Sequence, residues 1–439
     1  MYPAGHRPKE GRVQAPDLKP DRRMIRAWCL YDFGNSSFAV LFGAMFSVYY
    51  KVHVVGPTGQ EGDAWWAATI AGSMLLVALS SPFVGGISDH TGLRKRLLAC
   101  YTGLGIAAML ALVLIRPGGM QMVVLGSIVA ALANMAFEGG LVFYNAYLPD
   151  IAPPAIRGRV SGLGFAVGYG GSLLALLIAW PLIASGHWGW VWVAIAVQWL
   201  VFSVPLFLYL PADKPTGMGL RAAAAKGMRG TWKTFKTILG MRDLRRFLLA
   251  FFVYMDGVIT VVFFAASYAT ETLAFTAVEV LGMLAIVQVT ALLGALVMGP
   301  PTDRYGPRRV VSIMLFWWVA VAIAAFLAEG KLFFLIVAAM AGIGLGSIQA
   351  ASRAFMARLI PEGRESEFFG FYALCGKTGS ILGPITFGVV KVLTGTQRPA
   401  VLAVAAFYFI GLVLLRGVKD DPASSSASSS TTGEQRGPV

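Results

Sequence analysis

Twelve apolar stretches recur along this 439-residue chain, near residues 25–50, 64–86, 96–115, 121–147, 160–184, 189–210, 246–269, 278–300, 310–328, 332–357, 367–390 and 398–416. A hydrocarbon layer of ~30 Å needs about 20 helical residues to cross it. Lipid offers no partner to a backbone N–H or C=O, so each stretch reads as an α-helix that satisfies its own backbone. With 57% hydrophobic and only 13% charged residues, the composition fits a bilayer better than water. These features predict an all-α membrane protein of twelve transmembrane helices in two six-helix pseudo-repeats.

The longest internal polar segment, 211–245, divides the spans six and six. The expected organisation is a disordered N-tail at 1–24, a bundle at 25–210, a central loop at 211–245, a second bundle at 246–416 and a disordered tail at 417–439. The formal charge of +14 suggests nucleic acid until the charges are placed. Of the 36 lysines and arginines, 30 fall in the two tails and in alternate loops, on one side of the predicted membrane. Five fall on the other side, and Lys377 alone lies inside a span. By the positive-inside rule this is a topology signal, with both termini cytoplasmic. It leaves no need for a nucleic-acid partner.

No short apolar core followed by a small-residue cleavage site precedes the first span, so no removable signal peptide is expected. The compact loops suit a cell inner membrane. Within the central loop, Trp232, Phe235 and Leu239 recur at helical spacing opposite Lys233 and Lys236. That pattern fits either a helix lying in the cytoplasmic interface or a solvated linker.

The chain repeats itself. Gly85, Asp89, Gly92, Arg94 and Lys95 in the second-to-third loop match Gly299, Asp303, Gly306, Arg308 and Arg309 in the eighth-to-ninth, 214 residues on. Glycine permits a tight reversal, the carboxylate can accept hydrogen bonds at a helix N-terminus, and the cations can reach headgroups. Asp89, Arg94, Asp303, Arg304 and Arg308 are therefore candidate gating residues, as is Arg353 near the cytoplasmic mouth. A second set, Gly162, Gly168, Gly171 and Ser172, matches Gly370, Gly376, Gly379 and Ser380 at an offset of 208. Small residues at such positions allow close, movable helix packing, or simply tighten a static bundle.

The duplicated loop resembles the hallmark motif of the major facilitator superfamily, whose members enclose a central cavity between two six-helix bundles. His90 departs from that motif, which usually has Arg after the Asp, and this predicts a weaker first latch. Further stretches resemble the vacuole-effluxer-like branch of the superfamily: residues 27–36 (AWCLYDFGNS), 144–150 (YNAYLPD), 254–257 (YMDG), 349–353 (QAASR) and 369–372 (FGFY), the last leading to Lys377. That branch includes a fungal vacuolar amino-acid exporter. The resemblance implies that spans one, four, seven and ten line a shared path, so that Asp32, Glu138 and Asp256 face it.

An ionisable side chain at the centre of a membrane helix costs at least ~2.5 kcal/mol. Asp256 and Lys377 sit about ten residues from their span ends, ~15 Å deep at the helical rise, and Glu138 and Asp32 lie shallower. Three carboxylates against one lysine leave two to be protonated, solvated or matched by a bound cation. The expectation is that Glu138 or Asp256 takes up a coupling proton, with Asp256 meeting the ammonium of a small zwitterion and Lys377 its carboxylate. The alternative is a static ion pair between Lys377 and one carboxylate. Asn35, Asn145 and Gln349 are candidate hydrogen-bond partners, for solute or for neighbouring helices.

No cofactor is expected. The three cysteines have no ligand spacing, and all four histidines lie in tails or loops. Gly342, Gly344 and Gly346 lie within a span, with no Gly-Lys-Ser/Thr after them, so nucleotide-driven pumping has no motif. Together these readings predict a secondary active transporter for a small solute, proton-coupled and exporting. A drug or lipid exporter of the same fold is the alternative within this class, and a non-transporting receptor or membrane enzyme the alternative outside it.

Overall fold

A computed structural model describes residues 21–218, 220–378 and 382–420. The expected tails at 1–20 and beyond 420, and Gly379 and Ser380, lie outside the described residues. α1 spans Arg22–Leu41 and starts where the Asp21 carboxylate accepts the Arg23 amide at 2.8 Å. It runs on through π-helical turns at Phe42–Phe46 and Tyr50–Val55. Then follow α2 (Gly62–Thr91), α3 (Arg94–Ala111), α4 (Met120–Ala146), α5 (Arg157–Ala184) and α6 (Trp188–Tyr209). After the central helix α7 (Leu220–Gly240) come α8 (Arg242–Leu273), α9 (Ala277–Tyr305), α10 (Pro307–Phe326), α11 (Lys331–Leu359), α12 (Glu365–Thr378), α13 (Leu382–Thr394) and α14 (Arg398–Leu415).

Among the described residues, 11 helices are long and apolar enough to cross a membrane, with 365–394 counted as one. The predicted span at 25–50 is helical but is not one of them. Its polar residues Arg26, Asp32, Asn35, Ser36 and Ser37 dilute the apolar run.

Helix ends follow local chemistry. Gly92 ends α2 at φ +67° and Gly306 ends α9 at φ +88°, conformations that a side chain resists. Thr276 and Glu279 form a reciprocal capping box at the start of α9. In the central segment, Thr231, Thr234 and Ile238 of α7 are buried while Trp232, Phe235 and Leu239 are exposed. The helix suggested by the aromatic spacing is present, and it docks on α2.

α1–α6 pack mainly on one another, as do α8–α14, and the two sets meet chiefly where α2 faces α12 and α5 faces α9, with lesser contacts of α11 on α5 and of α12 on α4. Each of the two chief contacts depends on a missing side chain. A Cβ on Gly370 of α12 would strike the backbone at Ser81 and Pro82 of α2, and one on Gly162 of α5 would strike the Ala295 carbonyl of α9. Ser81 and Ala295 are 214 residues apart, and Gly162 and Gly370 are 208 apart. Gly162 and Gly370 therefore act as close-approach points between the halves, as helix association in lipid favours, whereas Gly168 and Gly171 pack on Ser36 and Phe33 of α1 and Gly376 on Phe251 of α8, each within its own half.

Candidate functional site

The duplicated loops make one contact twice. Asp89, at the end of α2, accepts the backbone N–H groups of Ser366 (3.2 Å) and Glu367 (2.8 Å) at the start of α12. Asp303, at the end of α9, accepts those of Gly158 (2.6 Å) and Arg159 (3.0 Å) at the start of α5. A carboxylate on the unsatisfied amides of a helix N-terminus gains charge-assisted hydrogen bonds and a favourable dipole. Each latch ties one half of the molecule to the other at the same end of the bundle.

Around these cores the side chains differ. Arg94 pairs with Asp150 at 2.6 Å, with Glu365 at 2.8 Å and with Asp89 at 3.2 Å, and donates to the Ala146 carbonyl at the end of α4. The second latch has one looser pair, Arg159 with Asp303 at 3.5 Å. Arg308, the counterpart of Arg94, instead donates from its side chain to the Val418 carbonyl and from its backbone to Asp420. Arg304 is exposed, with its guanidinium over the neighbouring Tyr305 ring. Of the expected gating residues, Arg304 and Arg308 therefore do not join the halves here. The expected weakening by His90 is not seen either: its ring bonds the Gly86 carbonyl within its own helix, and the first latch holds the larger charge network.

Arg353 was expected at a mouth. It is 2% exposed and buried within the first half's side of the bundle. From α11 it donates to the Ser161 hydroxyl (3.0 Å), the Ser161 carbonyl (2.7 Å) and the Asn145 carboxamide oxygen (3.2 Å). Its guanidinium lies 4.0 Å from the Phe165 ring centroid and 4.7 Å from that of Trp28, while Trp28 stacks on Tyr144. Asp32 lies 3.8 Å away, near enough for an ion pair but too far for a hydrogen bond. Stacking on aromatic faces suits the planar, weakly hydrated guanidinium, which explains how a cation is held out of water. The cage draws on three of the stretches singled out by sequence, residues 27–36, 144–150 and 349–353. The 254–257 stretch adds Tyr254, whose hydroxyl bonds that of Ser352 at 2.7 Å.

The central charges show the ion pair between Lys377 and one carboxylate that the sequence offered as the alternative. Lys377 of α12 meets Glu138 of α4 at 2.5 Å, a further ion pair across the halves. Asp256 is fully buried and accepts the Gly383 amide at 2.7 Å, at the start of α13. Its other oxygen, Oδ1, has no hydrogen-bond partner among the described residues. The charge count also changes, because Arg353 is a second buried cation. Asp32 and Glu138 each have a cation, and Asp256 has the Gly383 amide. Gln349 accepts from the Tyr169 hydroxyl at 2.5 Å. Asn35 is 2% exposed, and its carboxamide oxygen has no hydrogen-bond partner among the described residues.

Sequence reasoning missed Asp150, Ser161, Glu365 and the cage rings Trp28, Tyr144 and Phe165. Trp28, Tyr144 and Asp150 lay in quoted stretches, and the 208-residue offset, applied to the capped amides, pairs Gly158 and Arg159 with Ser366 and Glu367.

At the opposite end, the ion pairs among the described residues stay within one half: Lys51 with Asp63, Lys331 with Glu279, and Lys391 with Glu271. A cavity of about 720 Å³ opens there in the first half, lined by Tyr49, His53, Arg116, Trp188 and Trp192 among others. The molecule is thus tied across its halves at the latch end and not by ion pairs at the other.

The comparisons with known proteins agree with this architecture. The family model described as vacuole effluxer Atg22 like matches residues 51–158 and 153–428. A Bacillus subtilis protein named as an uncharacterized MFS-type transporter, YxiO, is 29% identical over 92% of this chain and 96% of its own length. Autophagy-related protein 22 of Yarrowia lipolytica is 24% identical over 79% of this chain and 74% of its own. Among solved structures, the human organic anion transporter MFSD10 superposes with a TM-score of 0.73 at 16% identity, covering 91% of this chain and 100% of that one. The proton:xylose symporter XylE gives 0.70 at 14% identity, covering 90% and 94%. At such identities the structures speak for the fold alone, while the family match spans most of the sequence. The chain belongs to the vacuole effluxer Atg22-like family of major facilitator transporters.

Proposed function

We propose that this protein is a secondary active transporter that exports a small amino-acid-like solute by alternating access, driven by protons. In this reading the run from Arg22 to Val55 is the twelfth span, and the two halves are pseudo-repeats of six. Both termini and the latches face the cytoplasm of a cell inner membrane. The observation that carries the reading is the Glu138 to Lys377 ion pair, which crosses the halves inside the bundle. Such a pair must break for the latch end to part, and each freed charge then needs a new partner.

A zwitterion and a proton supply those partners. Protonation neutralises Glu138 and frees Lys377, whose side chain is 25% exposed, to take a solute carboxylate. The carboxylate of Asp32 and the unpartnered carboxamide oxygen of Asn35, one turn further along α1, take its ammonium. Asp256 keeps its bond to the Gly383 amide. Tight latches at the cytoplasmic end make this the outward-facing or occluded member of the cycle.

The test is flux of a labelled amino-acid panel in proteoliposomes, with and without an imposed pH gradient, comparing wild type with Glu138→Gln. Gradient-driven accumulation in wild type, with only solute exchange left in the variant, is the expected result. Equal accumulation in the variant removes Glu138 as the proton carrier. No flux of any panel member by folded protein turns the reading to the drug or lipid exporter.

A further inference from the structure

Helix α7 carries five cations, Arg221, Lys226, Arg229, Lys233 and Lys236, and no carboxylate. Its other faces are distinct. Gly227, Thr231, Thr234 and Ile238 are buried, and the first of these packs against Phe83 and Ile87 of α2. Trp232 and Leu239 stand 63% and 43% exposed beside that face, and Lys226, Lys233 and Lys236 are exposed beyond them. Lys236 lies 5.7 Å from the Trp232 ring centroid. An anchored face, an exposed aromatic edge and a basic stripe in that order suit a helix lying at a membrane surface, with aromatic rings at the acyl boundary and lysines at anionic headgroups.

The buried face leads to the first latch. The Thr234 hydroxyl accepts from Arg364, and Arg364 pairs with Glu367 at 2.7 Å. Glu367 is the residue whose backbone N–H the Asp89 carboxylate holds. Phe235 stacks near Phe371 on the same helix, α12. One chain of contacts therefore runs from the basic helix to the N-terminus that the latch grips.

We propose that α7 binds the anionic phospholipid headgroups of the leaflet at the latch end, and that this binding strengthens the first latch through Thr234, Arg364 and Glu367. Seating α7 on the membrane fixes Thr234, which holds Arg364 over Glu367 and keeps the α12 amides on Asp89. Neutral lipid leaves the lysines without a partner and α7 free to shift. The proposed orientation enters only in naming that leaflet cytoplasmic; neither the binding nor the coupling depends on which solute is carried.

The full chain is placed in bilayer discs of phosphatidylcholine alone or mixed with phosphatidylglycerol. Retained phosphatidylglycerol is measured by native mass spectrometry, and amide exchange is followed over residues 365–370. Each lysine near an anionic surface contributes about a fivefold gain in affinity. The triple change Lys226→Gln, Lys233→Gln, Lys236→Gln should thus lower phosphatidylglycerol retention by roughly ten- to a hundredfold and abolish its slowing of exchange. Thr234→Val should keep the lipid and lose the slowing, and Thr234→Ser, which restores the hydroxyl, should regain it. Equal retention by the triple variant overturns the binding surface. Exchange at 365–370 that ignores phosphatidylglycerol in wild type overturns the coupling. Both readouts are independent of flux, so they stand apart from the transport test.

Discussion

The two latches share a backbone contact and differ in every charge around it. Asp89 and Asp303 each grip two amides at the start of a helix from the other half. The first latch adds Arg94, which gathers Asp89, Asp150 and Glu365. At the 208-residue offset, Asp150 is matched by Arg358 and Glu365 by Arg157. Two of the three carboxylate partners of Arg94 have thus become cations in the second copy, only Asp89 keeping its match in Asp303, and Arg308 lacks the counterparts that Asp150 and Glu365 are to Arg94. It turns to the Val418 carbonyl instead, while Arg157 donates to the Ala357 carbonyl near the end of α11. What a repeat retains is therefore the cap, which needs one carboxylate and a helix end. The side-chain network needs several residues to agree in sign and is free to diverge.

The largest expected effect comes from removing the arginines one at a time. Arg94→Ala strips a common partner from two buried carboxylates, Asp89 and Glu365, and from the half-exposed Asp150. Leaving such groups unpaired costs about 3 kcal/mol, the lower end for buried pairs because the site is partly wet. Arg308→Ala loses one carbonyl contact, worth about 1 kcal/mol. Thermal unfolding in detergent, read together with amide exchange at residues 366–367 and 158–159, checks both. Equal losses would mean that the charge network adds nothing to the cap.

The contrast also shows what the sequence made legible. The spans were readable because lipid forces every crossing segment into an apolar helix, and the latch aspartates because a duplicated motif leaves two copies to compare. The charge network was not, because Asp150 and Glu365 lie far from Arg94 in the sequence, and Glu365 comes to it from the other half. The burial of Arg353 was illegible for a related reason. Near the end of an apolar stretch an arginine reads as a mouth residue, and only Trp28, Tyr144 and Phe165, drawn from three separate helices, create a site that shelters it. Asp256 and Lys377 looked like one site because their depths agree, but depth does not fix which face of a helix a side chain takes. Their partners, Gly383 and Glu138, lie on other elements.

A smaller and deliberately equal effect is expected from Asp89→Asn and Asp303→Asn. Asparagine keeps one oxygen for the amides and loses the charge that favours a helix N-terminus. Each change should therefore cost about 1 kcal/mol. In the first latch Arg94 retains Asp150 and Glu365, so the loss there stays close to that of the second. Exchange at 366–367 in one variant and at 158–159 in the other should quicken by similar factors. A much larger effect for Asp89→Asn would show that the cap and the network act as one unit, and would weaken the separation drawn between them.

The smallest effect is the one most specific to the difference. Raising the salt from about 0.1 to about 1 M shortens the screening length from ~10 Å to ~3 Å. Arg94 is 15% exposed at its side chain and Asp150 44%, so ions reach this pair and should weaken it by a few tenths of a kcal/mol. Asp303 is 5% exposed at its side chain, and its main bonds go to backbone amides, which salt screens little. Exchange at 366–367 should therefore speed up slightly with salt while exchange at 158–159 holds steady. The reverse order would place the working charges in the second latch, with Arg159 and Asp303 rather than Arg94 as the pair that sets its strength.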